Sequence, residues 1–244
     1  ALSMATGELW RLDMGGWGLY ALAGVLHYVI GRLLIYSSID MIGAASASVS
    51  ASPSIVLASV FAWPFLGGGL GPRVAASVGL VALAVHLAGS KPSGQGSGGR
   101  RAMLGLAAGL GSSLVFAITT LLVRYAGTSH GAATAGVFVS YLAALSIMLP
   151  YALIRGWLAA DLGVRDKHLV FAAAGGVLVS LGQLFRYNAL GLAPVALVVV
   201  FVSMNSVYAA LLSPLVKAAR EKPGPRHLAA AALAVSALYL AATS

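Results

Sequence analysis

Apolar positions along the chain gather into eight long runs separated by short polar gaps. They are roughly Gly15–Ser37, Met41–Leu66, Val74–Gly89, Ala102–Tyr125, Ala132–Ile154, His168–Tyr187, Leu192–Val216 and His227–Ala242. A helix that crosses a bilayer needs about 20 apolar residues, with a range of ~17–25. All eight runs approach that length, the third and eighth being short. Closed barrels are the other spanning structure, but their strands alternate polar and apolar residues. These runs are continuous, so the pattern predicts an all-α integral membrane protein with eight transmembrane helices. Trp10, Trp17, Trp63, Tyr151 and Trp157 lie near the ends of runs, as interfacial aromatics do.

The runs repeat. Sliding the chain by 151 residues pairs Gly31 with Gly182, Leu33 with Leu184 and Tyr36 with Tyr187. The same shift pairs Ala45 with Ala196, Val56 with Val207 and Ala58 with Ala209. Upstream it pairs Ala21, Ala23 and Gly24 with Ala172, Ala174 and Gly175. With two extra residues, Gly71-Pro72-Arg73 falls on Gly224-Pro225-Arg226. Runs one to three thus match runs six to eight. Matching runs are five apart, an odd number, so equivalent helices cross the bilayer in opposite directions. That is an inverted repeat, and function is expected between its halves. Ser90–Arg101, SKPSGQGSGGRR, has the Gly, Ser and Pro content of a linker. The expected division is 1–90 for a first repeat of three helices, 91–101 for the linker and 102–244 for a second repeat of five. The first repeat is then incomplete at its N-terminus, lacking two helices of an original ten.

Ile35–Ser38 leads into a small-residue helix reaching Pro53-Ser54-Ile55, Gly105–Arg124 ends in a basic residue, and Tyr187–Pro194 forms a turn. In these features the chain resembles the drug/metabolite transporter superfamily, in particular its EamA-type ten-helix members. Family members often carry Leu-Gly-Glu after the fourth helix; Phe65-Leu66-Gly67-Gly68 has glycine in place of the acid. The second-half equivalent of Pro53 is Met204. The resemblance implies transport of a small metabolite by alternating access, and no enzyme activity.

Composition agrees. The chain is 59% hydrophobic and only 9% charged, where a soluble domain carries roughly 25% charged residues. With no cysteine, disulfides and cysteine-bound metals are excluded. The net charge of +9 comes mostly from basic residues in short gaps beside apolar runs, which reads as membrane topology and not as a nucleic-acid patch. No cofactor or metal is expected. The expected partners are a small-molecule solute, the lipid bilayer and, as one option, a second copy of the chain in a homo-oligomer. The cell membrane is the expected location.

The side of the bilayer bearing the N-terminus holds Arg11, Arg73 and Arg124. The opposite side holds Lys91, Arg100, Arg101, Arg155, Arg165, Lys167, Lys217, Arg220, Lys222 and Arg226. By the positive-inside rule the second side is cytoplasmic and both chain ends are outside. The resembling family is usually drawn with both ends inside.

Ionisable groups inside a bilayer are costly and usually face a cavity. All six acids, Glu8, Asp13, Asp40, Asp161, Asp166 and Glu221, lie in gaps or at run ends. Arg32 and Arg186 sit within runs. Arg124 and Arg186 lie near run ends, where snorkelling accounts for them. Tyr28, Arg32 and Tyr36 are four residues apart and share a helical face. The repeat places Gln183 opposite Arg32 and Tyr187 opposite Tyr36. Asn205, in the seventh run, matches Ser54. The expected substrate-binding set is Tyr28, Arg32, Tyr36, Gln183, Tyr187 and Asn205 around one central cavity. A cavity arginine with no buried acid favours a solute bearing a carboxylate or phosphate. Arg32 alternatively snorkels, or pairs with a carbonyl or with a carboxylate on one of the absent helices. Pro53 interrupts the hydrogen-bond ladder of the second run and predicts a kink or hinge there. Ser46, Ser50 and Ser54, like Gly105, Gly109 and Gly111, are read as close-packing positions. His27 and His86 read as packing residues.

The leading expectation is a secondary transporter or exporter of a small organic metabolite, amino-acid-like or anion-bearing. The alternatives are an exporter of lipophilic cations, which calls for a buried acid, and a non-transporting membrane scaffold subunit. A lipid-modifying enzyme lacks a catalytic constellation in this sequence.

Overall fold

The structure, a computed structural model, describes residues 7–42, 53–66, 71–89, 99–155 and 166–202, with scattered positions between 47 and 51 and between 229 and 240. Its regular elements are all helical among these residues. A single turn, α1 (Glu8–Arg11), precedes a continuous helix made of α2 (Met14–Gly24), a π-helical segment (Val25–Gly31) and α3 (Arg32–Ile42). There follow α4 (Pro53–Leu66), α5 (Pro72–Gly89), α6 (Arg100–Ser129), α7 (Ala133–Ile154) and α8 (Asp166–Leu192). Residues 195–202 are also helical. Three stretches among the described residues are long and apolar enough to cross a membrane: Met14–Ile42, Arg100–Ser129 and Ala133–Ile154.

Several helix boundaries differ from those read off the apolar runs. The first helix passes Ser37 and ends at Ile42; Ser38 is buried, so this polar pair does not stop it. Helix α6 begins at Arg100, inside the segment expected to be linker. Arginine is a good helix former, and Arg101 reaches back to the Asp40 carbonyl at 3.4 Å. The remaining linker residues lie outside the described residues, apart from Gly99. Helix α8 runs to Leu192, five residues beyond the expected end at Tyr187. The chain breaks only at Ala193, since the residue before a proline is disfavoured in helix. The kink expected at Pro53 depends on Ser52, which lies outside the described residues.

Contacts divide the chain into two compact units, residues 1–29 with 122–192 and residues 30–121 with 193–244. In the first unit α2 packs extensively on α7, and α7 also packs on α8. Two glycines permit the α2–α7 approach. A methyl group at Gly24 would collide with the Ser140 backbone, and one at Gly136 with the Tyr20 ring. Without a hydrophobic force between helices in lipid, such small-residue contacts carry the packing. The turn from α6 to α7 is tight: Gly131 and Ala132 both have positive φ, 66° and 52°. Asp13 caps α2, its Oδ1 accepting from the Gly16 N–H at 2.9 Å.

In the second unit α4 packs on α5. Val78 and Val81 of α5 form a buried cluster with Ala196, Val200 and Ala237. Gly105 of α6 lies against Met41 and Ile42, and Gly109 against Ser50 and Ser38. Close packing therefore accounts for these glycines and for Ser50, whose hydroxyl donates to the Ala47 carbonyl at 2.9 Å. On α6, Ser112, Thr119 and Thr120 likewise donate to carbonyls of their own helix. Leu104, Leu110, Leu114 and Ile118 of α6 are exposed, as an exterior that faces lipid requires.

Candidate functional site

The polar groups of the first unit converge from α2, the π-helical segment, α7 and α8. Tyr20 on α2 is fully buried and donates to the Gly131 carbonyl at 3.0 Å. Ser140 on α7 donates to the Tyr20 carbonyl at 2.7 Å. Tyr187 on α8, 1% exposed, donates to Ser140 Oγ at 3.1 Å. The Tyr20 and Tyr187 rings stack with centroids 6.1 Å apart. This chain ties three helices through buried hydroxyls, each with a partner.

A second pair sits beside it. The Tyr28 ring stacks on Tyr141 at 4.6 Å and 19°, and His27 packs edge-on against Tyr28 at 4.8 Å. The Tyr28 and Tyr141 hydroxyls are buried, yet neither makes a hydrogen bond of good geometry. They lie close to one another, and both lie within electrostatic range of Tyr187. Tyr28 occupies a π-helical turn, and such turns recur at functional sites. Arg186 is half-buried and within electrostatic range of the Tyr28 and Tyr187 hydroxyls. Its guanidinium donates to Gln183 Oε1 at 3.3 Å. Alongside runs an open groove of about 520 Å³ between α7 and α8, to which Phe138, Tyr141, Ser180 and Leu184 contribute. That volume suits a small organic molecule.

Of the six residues expected to bind substrate, Tyr28, Gln183 and Tyr187 come together in the first unit. Arg32 and Tyr36 belong to the second unit, on α3. Arg32 is half-buried and Tyr36 is 54% exposed. Asn205 lies outside the described residues. Tyr20, Ser140, Tyr141 and Arg186 were not among the expected set. The 151-residue shift pairs Tyr20 with Phe171 and not with a second tyrosine, Tyr141 has no counterpart in the chain, and Ser140 is one small residue among many. Arg186 was assigned to snorkelling because its run was expected to end at Tyr187. The helix continues to Leu192, so Arg186 lies six residues inside it. Arg124, near the end of its run, donates its guanidinium to the Leu190 carbonyl at 2.6 Å. It supplies positive charge and a donor at the C-terminal turn of α8, where both are favourable.

At one end of this unit, Asp13 Oδ1 lies 2.7 Å from His130 Nδ1. The Gly16 N–H and the adjacent His130 hold the Asp13 carboxyl below the usual carboxylate range. Among the described residues no cluster of His, Cys, Asp and Glu could hold a metal ion.

Residues 103–243 match the EamA-like transporter family. No curated protein matches the chain. A solved structure titled "Crystal structure of protein" is similar with a TM-score of 0.64 and 16% sequence identity, over 99% of this chain and 91% of that one. At that identity the likeness supports the fold. The family match covers more than half of the chain, including the whole of α7 and α8 that carry Ser140, Tyr141, Gln183, Arg186 and Tyr187. The chain belongs to the EamA-like transporter family, whose members are integral membrane transporters of small molecules.

Proposed function

We propose that the chain is a secondary transporter that moves a small organic metabolite, amino-acid-like or anion-bearing, across the cell membrane by alternating access. The two halves that alternate are the inverted repeats 1–90 and 102–244, joined by 91–101, and this chain contributes eight transmembrane helices to them. Solute contacts come from Tyr28, Arg32, Tyr36, Gln183, Tyr187 and Asn205, and Pro53 acts as a hinge. The observation that carries this reading is the group of buried tyrosine hydroxyls with Arg186 beside them, in helices that otherwise expose apolar side chains. A packing role alone would favour satisfied or apolar groups, because unmade buried hydrogen bonds are costly. A solute supplies the missing partners during transport.

The test is flux in proteoliposomes. The purified full-length protein is assayed with a panel of anionic, zwitterionic and cationic solutes, beside Arg32→Gln, which copies the repeat-equivalent Gln183. The expected result is saturable flux of an anionic or zwitterionic solute, weakened in Arg32→Gln. Flux confined to lipophilic cations would replace this reading with cation export. No flux of any solute by the folded protein would replace it with the scaffold role.

A further inference from the structure

Resting on that transport reading, we propose that Arg186 and Gln183, with the Tyr28 and Tyr141 hydroxyls, hold the carboxylate of a soluble metabolite whose apolar body occupies the α7–α8 groove. Three observations support it. Arg186 lies well inside α8, half-buried, within electrostatic range of two tyrosine hydroxyls. Gln183 accepts from one guanidinium nitrogen, and the guanidinium carries five donors in a planar fork that matches a carboxylate. Tyr28 and Tyr141 bury their hydroxyls beside one another and beside Tyr187, without a well-aligned hydrogen bond for either. A carboxylate offers about four acceptor sites, enough for both hydroxyls and the fork.

The groove provides for the remainder of the molecule. Tyr141 belongs both to the groove wall and to the Tyr28 stack, so the polar cluster and the groove are contiguous. Val137, Phe138, Val177 and Leu184 make the wall apolar, and Ser180 adds one hydroxyl. Ser180, Leu184 and Tyr187 fall on one face of α8, at spacings of four and three. An apolar chain or single ring fits this wall better than a sugar or a second charge, which would leave its polar groups without partners. The selectivity follows from chemistry. A carboxylate satisfies the cluster, its neutral amide brings unwanted N–H donors toward donors, and an amine brings like charge toward Arg186.

Three isosteric probes test this: 4-phenylbutyrate, 4-phenylbutanamide and 4-phenylbutylamine. Each is added to the purified full chain in detergent and binding is read by titration calorimetry. Wild type should prefer the carboxylate over the amide by about tenfold or more, the scale of a charge-assisted hydrogen bond. Arg186→Gln should abolish that preference while melting normally by tryptophan fluorescence. Arg186→Lys should restore part of it, having charge without the fork. Tyr28→Phe and Tyr141→Phe should each weaken the carboxylate and leave the amide unchanged. If Arg186→Gln does not fold, the two Phe variants and Arg186→Lys carry the same comparison.

Equal binding of carboxylate and amide by wild type overturns the proposal, as does an unchanged preference in Arg186→Gln. So does a preference abolished by Arg32→Gln and kept by Arg186→Gln, which leaves the transport reading in place. A groove that takes dioctanoylphosphatidate and none of the three probes is a lipid site, and this too overturns the proposal. Conversely, carboxylate binding lost in Arg186→Gln, with no flux of any solute by wild type, upholds this site and removes the transport reading.

Discussion

Ser140 takes part in two of the hydrogen bonds that tie the helices of the first unit together. Its hydroxyl donates to the Tyr20 carbonyl and accepts from Tyr187. Ser140→Ala removes both bonds and leaves the buried Tyr187 hydroxyl without its acceptor, a loss of about 1–3 kcal/mol. Tyr187→Phe removes donor and need together and should cost about 0.5–1.5 kcal/mol. Because the two share one bond, the double variant should fall short of the sum. Thermal unfolding in detergent measures all three. Asp13 gives a pH-dependent counterpart. Its carboxyl is held below its ordinary pKa in the folded chain, so it stabilises the fold above about pH 4. That contribution is lost as acidification passes the folded value. Wild type should therefore melt above Asp13→Ala at neutral pH, and the gap should narrow below about pH 4. A gap that is the same at every pH would mean that the charge of Asp13 contributes nothing. The candidate site was partly legible at this scale. Tyr187 and Gln183 stood out because a repeat marked them, and Tyr28 because of its spacing to Arg32. Arg186 was visible, but its depth in the helix was not: α8 runs on to Leu192, and apolar runs place helix ends poorly when Leu190 and Leu192 continue past the expected one.

Elements meet here through absent side chains as much as through present ones. Gly24→Ala should push α2 from α7 and stretch the Ser140–Tyr20 bond, since the new methyl has only the Ser140 backbone to meet. The expected cost is about 1–3 kcal/mol, as for other overpacked interiors. An unaltered melting temperature would show that the two helices separate freely. The α6–α7 turn offers the opposite change. Ala132 sits in the left-handed region at φ 52° and ψ 46°, which costs an ordinary residue about 1–2 kcal/mol. Ala132→Gly relieves that strain but frees the unfolded chain, so the net gain should be about 0.5–1 kcal/mol. A lowered melting temperature would contradict it. Helix type and approximate position were readable from apolar runs because burial in lipid is written in composition. The π-helical segment was not, since Val25–Gly31 has no proline and His27 and Tyr28 do not by themselves announce a wider turn.

For the whole molecule, membrane class was legible because few charges and long apolar runs admit no soluble fold, and the family was legible as a resemblance at Ile35–Ser38, Gly105–Arg124 and Tyr187–Pro194. The grouping into residues 1–29 with 122–192 and 30–121 with 193–244 was not. Periodicity reports which face of a helix is buried, never which distant helix buries it. Orientation is testable in a chain without cysteine. By the positive-inside count, Ser244→Cys on intact cells should react with an impermeant thiol reagent and Ser97→Cys should not. The reverse labelling would place both chain ends in the cytoplasm. The interleaving of the two units also bears on synthesis. Residues 1–29 belong with partners that begin at Leu122, so the first helix emerges well before α7 and α8 exist. At roughly 5–20 residues per second, it waits several seconds in the membrane without its native neighbours. Until then Tyr20 lacks the Gly131 carbonyl, Gly24 lacks Ser140, and chaperone or translocon contacts have a window in which to hold it.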